Sequence, residues 1–167
     1  MPSKNEKSPE MDLGALIKGL KGAGIEFIIV GGVAAVAQGA PVTTFDLDIV
    51  HRQTDENIDK LMDFLASIGA YLRRPDDKIM KPTEEYLKGK GHVLLTTRFG
   101  PLDILAVIEK GCGFEELISD AVEFEFQGRV VHVLDLAAIV SLKRDSKDPK
   151  DRLRLPVLEE ALRQMDK

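Results

Sequence analysis

Cysteine is all but missing from this sequence: Cys112 is the only one in 167 residues, which excludes an internal disulfide and any multi-cysteine zinc site. Tryptophan is absent, and with seven Phe and two Tyr the core has to be aliphatic. The three histidines, His51, His92 and His132, lie about 40 residues apart, without the spacing of a metal-ligand set. Long apolar runs are lacking too. The longest nearly unbroken one, Phe27 to Ala37, has 11 residues, against the ~20 needed to cross a bilayer, so no membrane partner is expected. Met1 to Glu10 is polar and charged and carries no signal-peptide core, which makes a cytoplasmic protein the expectation. Catalysis, if present, has to rest on carboxylates and an oxygen-loving metal.

The remaining composition is that of a soluble globular chain, 44% apolar and 31% charged. A length near ~150 residues predicts one domain: a flexible tail over 1–10 and a single unit over 11–167, with C-terminal helices from about residue 135. The net charge is −5, which argues against coating nucleic acid by bulk attraction. That sum conceals two basic segments. Residues 71–92 carry six Lys and Arg against four acids, and 143–154 carry six against three, leaving −10 on the rest. Such segments suit a polyphosphate or an RNA end, and equally a solvated surface.

Patterning predicts mixed elements. Ser8-Pro9 reads as a helix start, with Leu13, Leu16, Ile17 and Leu20 on one face and an end at Gly22 to Gly24. Phe27–Val30 suits a buried strand that stops at Gly31-Gly32, and a short alanine-rich helix follows over Val33–Gln38. Asp46–Val50 reads as a second strand, and Thr54 caps a helix closed by Gly69. Residues 70–91 read as an irregular connection. Two hairpins are expected, 92–98 with 102–107 around Gly100-Pro101, and 122–126 with 129–133 around Gln127-Gly128, separated by a short helix over 114–121. Asp135 and Asp148-Pro149 each open a helix, the second with a kink at Pro156. Hairpins mixed with helices favour an α+β layer over an all-parallel sheet.

The stretch with chemical content is Val30-Gly31-Gly32 followed, thirteen residues on, by Asp46-Leu47-Asp48-Ile49. On a strand, residues i and i+2 share a face, so Asp46 and Asp48 project together about 6.6 Å apart along the backbone. Two carboxylates on one face repel unless a cation lies between them, and Mg²⁺ is held by one or two carboxylates plus phosphate and water. The glycines let the backbone approach a phosphate closely, and the N–H groups of Val33 and Ala34 at the helix start suit anionic oxygens. Each feature alone is also an ordinary turn or a solvated strand edge; the pairing is what informs.

This pattern resembles the signature of the DNA polymerase beta-like nucleotidyltransferase superfamily, hydrophobic-Gly-Gly/Ser, a gap, then Asp-hydrophobic-Asp/Glu-hydrophobic. The wording "VGGVAAVAQGAPVTTFDLDIV" is most similar to the small prokaryotic minimal nucleotidyltransferases and to the nucleotidyltransferase toxins of toxin-antitoxin systems. Gly31, Gly32, Ala34, Gly39, Thr44, Asp46 and Asp48 match. Gln38 stands where histidine is frequent and Val42 where arginine is frequent.

The resemblance implies a mixed sheet flanked by helices, and a third carboxylate on a later neighbouring strand, the place Asp103 takes in "FGPLDIL". It also implies that Asp46, Asp48 and Asp103 hold two Mg²⁺ or Mn²⁺ ions, with Asp103 helping to deprotonate the acceptor. Gly31, Gly32, Val33, Ala34 and Thr44 would lie at the nucleotide, and Lys143, in a tail that matches the family's, would contact the triphosphate. The implied reaction moves a nucleoside monophosphate from an NTP, ATP being the commonest, to a hydroxyl on tRNA, protein or a small molecule; for the toxins an antitoxin partner is implied as well. Two other readings compete. A phosphatase using Asp-x-Asp needs an apolar strand running into Asp46, and a nucleotide- or partner-binding module with a decayed site would keep the fold without the transfer.

Overall fold

The run Phe27–Val30 has all four residues buried and forms β1, an inner strand of a seven-stranded sheet. The computed structural model describes residues 11–166. In chain order they fold as α1 (Leu13–Gly22), β1, α2 (Gly31–Ala37), β2 (Leu47–His51), α3 (Asp55–Ser67), β3 (Tyr71–Leu72), α4 (Glu84–Lys88), β4 (His92–Thr97), β5 (Gly100–Leu105), α5 (Phe114–Leu117), β6 (Ala121–Phe126), β7 (Arg129–Leu134), α6 (Leu136–Arg144) and α7 (Pro149–Met165). The strand order is β3-β4-β5-β2-β1-β7-β6. Pairs β2/β5 and β1/β7 are parallel and the rest antiparallel. This is the mixed, helix-flanked α+β sheet expected, with α6 and α7 as the C-terminal helical extension. Among the described residues no helix is long and apolar enough to cross a membrane.

Register places the acids. Asp48 stands beside Val30 on one side and Asp103 on the other. Alternation sends the neighbours of these aspartates to the opposite face, where Leu47, Ile49, Leu102 and Ile104 are fully buried. One face of β2 and β5 is therefore core, and the other carries the carboxylates. Apolar burial of this kind contributes about 25 cal/mol per Å², so the register is specified by the aliphatic side and the acids are carried with it.

Several local readings change. The expected N-terminal tail and the Ser8-Pro9 helix start lie outside the described residues; α1 is capped instead by Asp12, whose Oδ1 accepts from the Ala15 N–H at 3.0 Å. The helix α2 begins at Gly31 itself, not after the glycines. Asp46 precedes β2 rather than starting it. The first hairpin turns at Arg98-Phe99, and Gly100 and Pro101 belong to β5; Pro101 is tolerated because the β2 ladder begins only at Leu102. The connection over 70–91 contains β3 and α4, and α5 is a single turn followed by a 3-10 turn over 118–120. Helix α7 is continuous over Pro149–Met165, with Pro156, the position of the expected kink, inside it.

The start of α6 is also satisfied differently from expectation. Asp135 makes no side-chain cap. The buried Gln38 does that work: its Oε1 accepts from the Leu136 N–H at 2.7 Å, and its Nε2 donates to the carbonyls of Ala34 at 3.0 Å and Leu134 at 2.8 Å. A neutral amide with both a donor and an acceptor can serve all three groups. It ties the end of α2 to the β7–α6 junction, and so fixes the helix that bears Lys143.

Candidate metal and nucleotide site

Three carboxylates converge where the register predicts. Asp46, Asp48 and Asp103 each offer an oxygen, and these oxygens lie within 4.8 Å of one another. Asp103 is 8% exposed. The crowding has electrostatic consequences. Burial pushes the Asp48 carboxyl up to about 8, with the charges of Asp46 and Asp103 adding to it and Lys143 opposing. Asp46 is also raised, by burial first and by the neighbouring Asp103, against an opposing effect of Arg73. A site of three hard oxygen donors whose shared ionisation is this unfavourable fits a divalent, oxygen-preferring cation such as Mg²⁺ or Mn²⁺.

The diglycine is needed to build this site. Gly31 has φ +68°, and a Cβ there would stand 2.3 Å from Asp48 Oδ2. At Gly32 a Cβ would meet Thr44 Cβ and Oγ1 at 2.8 Å. Both positions thus admit a functional side chain against the backbone, which a larger residue would displace. Thr44 Oγ1 in turn donates to the Asp46 carbonyl at 3.1 Å, holding the bend that leads into β2.

A cleft of about 550 Å³ opens at Asp46 and Asp48. Of the residues singled out in the sequence, Gly31, Gly32, Thr44, Asp46, Asp48 and Lys143 line it. Val33, Ala34 and Asp103 do not line it and are buried. Because α2 starts at Gly31, the amides without an intrahelical partner are those of Gly31, Gly32 and Val33, and the Ala34 N–H expected to face an anion is instead used inside the helix. Lys143 is clamped between carboxylates, with an ion pair to Glu109 and Nζ 3.4 Å from Asp151 Oδ1. Burial works against its charge, but these two partners outweigh it and hold its pKa above the ordinary lysine range.

The cleft also holds cations from outside the diglycine–aspartate motif. Arg73, Lys150 and Arg154 line it, one from the first basic segment and two from the second. Arg154 Nη2 donates to the Thr43 carbonyl at 2.9 Å, and its Nη1 is 3.8 Å from the Cβ position at Gly32. A guanidinium from α7 therefore stands at the glycine turn whose loop carries Val42 in place of a cation. Charge segmentation was the available signal, since spacing gives no hint that α7 folds back over the turn. Behind Lys143 a second cavity of about 400 Å³ shares Gly31, Asp48, Ile139 and Lys143 with the cleft and is otherwise mostly apolar.

Comparison with solved structures places the fold in a class. The chain is similar to the crystal structure of the lincosamide antibiotic adenylyltransferase LnuA with lincomycin bound, at TM-score 0.60 and 14% identity over 93% of this chain and 99% of that one. It is also similar to the solution structure of the antibiotic-resistance factor ANT(2'')-Ia, at TM-score 0.55 and 16% identity over 91% of this chain and 83% of the other. No protein-family model matches the sequence, and no curated protein matches it by sequence comparison. The fold is the nucleotidyltransferase fold, as the sequence resemblance implies.

Proposed function

We propose that the protein is a metal-dependent nucleotidyltransferase that moves a nucleoside monophosphate from an NTP, with ATP the first candidate, to an acceptor hydroxyl. The observation that carries this reading is the convergence of Asp46, Asp48 and Asp103 within 4.8 Å, with Asp46 and Asp48 lining a cleft that Lys143, Lys150 and Arg154 also line. Acids alone hold a cation; acids facing basic groups across a cleft hold a cation and a polyanion together.

The three aspartates are the residues that would hold two Mg²⁺ or Mn²⁺ ions. Bound there, the ions supply charge neutralisation at the phosphates and acidify the acceptor hydroxyl. In the transfer, the acceptor oxygen forms a bond to the α-phosphorus, the bond from that phosphorus to the bridging oxygen of the β-phosphate breaks, and pyrophosphate leaves. Asp103 takes the acceptor proton. The amides of Gly31, Gly32 and Val33 at the start of α2 hold the terminal phosphates, Thr44 fixes the loop beside them, and Lys143 and Arg154 supply positive charge to the leaving group. Catalysis by position and charge needs few residues, consistent with a site built from one sheet face and three helices.

The second cavity, which also reaches Asp48, supports an acceptor brought to that residue from a side other than the phosphates; a small molecule, an RNA end and a protein hydroxyl all meet the chemistry. If the resemblance to the toxin group extends to function, an antitoxin partner would shield this cleft. The phosphatase reading lacks its strand, since residues 41–45 form none. The test is pyrophosphate release from NTP with Mg²⁺ and cell lysate. Asp46→Asn should abolish the release while the fold persists, and an unchanged rate would contradict the assignment.

A further inference from the structure

Arg73, which lines the cleft, touches the acidic triad from outside the diglycine–aspartate motif. It follows the edge strand β3, and its backbone N–H donates to the Leu94 carbonyl of β4 at 2.9 Å. From there its side chain reaches over β4, where Nη2 donates both to the Leu95 carbonyl at 2.7 Å and to Asp103 Oδ1 at 2.9 Å. Both ends of the residue are therefore fastened to β4, the strand that pairs with β5 with Leu94 opposite Asp103. One nitrogen makes both side-chain bonds, so Nε and Nη1 are left for a ligand in the cleft that Arg73 lines.

The charge count gives this contact a meaning. The three carboxylates are brought within 4.8 Å, yet Lys143, which lines the same cleft, is already matched by Glu109 and Asp151. Arg73 is the cation bonded directly to the triad. A guanidinium bonded to one of the three ligands lowers the attraction of the bare site for a second divalent ion. It also holds Asp103 by Oδ1, which fixes the orientation of that carboxylate. When a triphosphate enters, its negative charge offsets the guanidinium and the free donors have an anion to bind.

We propose that Arg73 is a positioning residue that holds Asp103 and makes tight metal loading of the triad depend on the arrival of a triphosphate. This rests on the nucleotidyltransferase reading above. Linkage requires the dependence to be mutual: metal must strengthen triphosphate binding by the same factor as triphosphate strengthens metal binding.

The test is Mn²⁺ binding, followed by electron paramagnetic resonance on the full chain, with and without a non-hydrolysable ATP analogue. In the wild type, Mn²⁺ should bind about tenfold tighter or more with the analogue present, the scale of one opposing charge at a partly screened site. Arg73→Gln should bind Mn²⁺ about tenfold tighter than wild type without the analogue, and the gain from adding it should shrink. Arg73→Lys keeps the charge and should stay within about threefold of wild type in the bare protein. A residue that merely braced the fold would weaken metal binding when removed. If Arg73→Gln binds Mn²⁺ no more tightly than wild type, or if Arg73→Lys behaves like Arg73→Gln, the proposal is overturned while the nucleotidyltransferase reading stands. If wild-type protein binds no Mn²⁺ even with the analogue, both fall.

Discussion

Asp48 lies directly beside Asp103 in the parallel register of β2 and β5, so two acids 55 residues apart in sequence leave the same face of the sheet side by side. A one-residue slip would send both into the aliphatic core and bring Leu47 and Leu102 out. The site is thus fixed by the same burial that fixes the sheet. Replacing any of Asp46, Asp48 or Asp103 by Asn should leave the fold intact and reduce transfer to below about one hundredth of wild type, since loss of even an outer partner of a metal ligand costs about 10–100-fold. Circular dichroism and a pyrophosphate assay on the same preparations check this.

The raised carboxyl of Asp48 makes the metal-free protein sensitive to pH. Its ordinary value is 3.8 and its folded value is about 8, so between these the folded state binds more protons than the unfolded state. Stability therefore falls as pH rises from about 4 to about 8, the reverse of the usual trend for a paired carboxylate. Asp48→Asn should flatten the dependence and melt several degrees above wild type at pH 8 without metal. Adding Mg²⁺ or Mn²⁺ should recover the wild-type loss and leave the variant nearly unmoved. Thermal melts in chelator and in metal over pH 5–9 read this out.

At Gly31 a side chain would meet both a positive φ and the Asp48 carboxylate. Gly31→Ala should cost about 1–3 kcal/mol from the backbone conformation and more from the displaced aspartate. It should also weaken Mn²⁺ binding, a loss that a stability effect alone would not produce at temperatures where the variant is folded. Denaturant unfolding together with Mn²⁺ titration distinguishes the two.

Much of this was legible in the sequence. The buried run into Gly31-Gly32, the Asp46-x-Asp48 spacing and the apolar strand around Asp103 are local patterns, and the resemblance supplied how they meet. What a linear reading cannot show is which distant group satisfies a local need. Asp135 has the right residue type to cap α6, yet the N–H of Leu136 is bonded by Gln38, 98 positions away. Arg73 looked like one charge among six in a basic segment; the two-residue strand β3 that aims it at Asp103 lies in a stretch with too little periodicity to be recognised. The Gly100-Pro101 turn was misplaced for a simpler reason, because Gly100 is needed for its φ of +107° at the start of the strand and not for the turn's apex.

Gln38 gives a prediction that separates support from chemistry. Gln38→Ala removes three buried hydrogen bonds and should destabilise the protein by about 2–4 kcal/mol. Its effect on transfer should be confined to nucleotide affinity, through the freedom given to α6 and Lys143, with Mn²⁺ binding to the aspartates retained. Chemical denaturation and the KM for NTP against kcat test this.

The most direct measurement of the central claim is transfer of label from each α-³²P-labelled nucleoside triphosphate, with Mg²⁺ or Mn²⁺, to total RNA, lysate protein and small hydroxylated molecules in parallel. The account predicts that wild-type protein labels one of these pools with release of unlabelled pyrophosphate, and that Asp46→Asn labels none. Wild-type protein that binds triphosphate and metal but transfers label to no pool, or an Asp46→Asn variant that transfers as well as wild type, would contradict it.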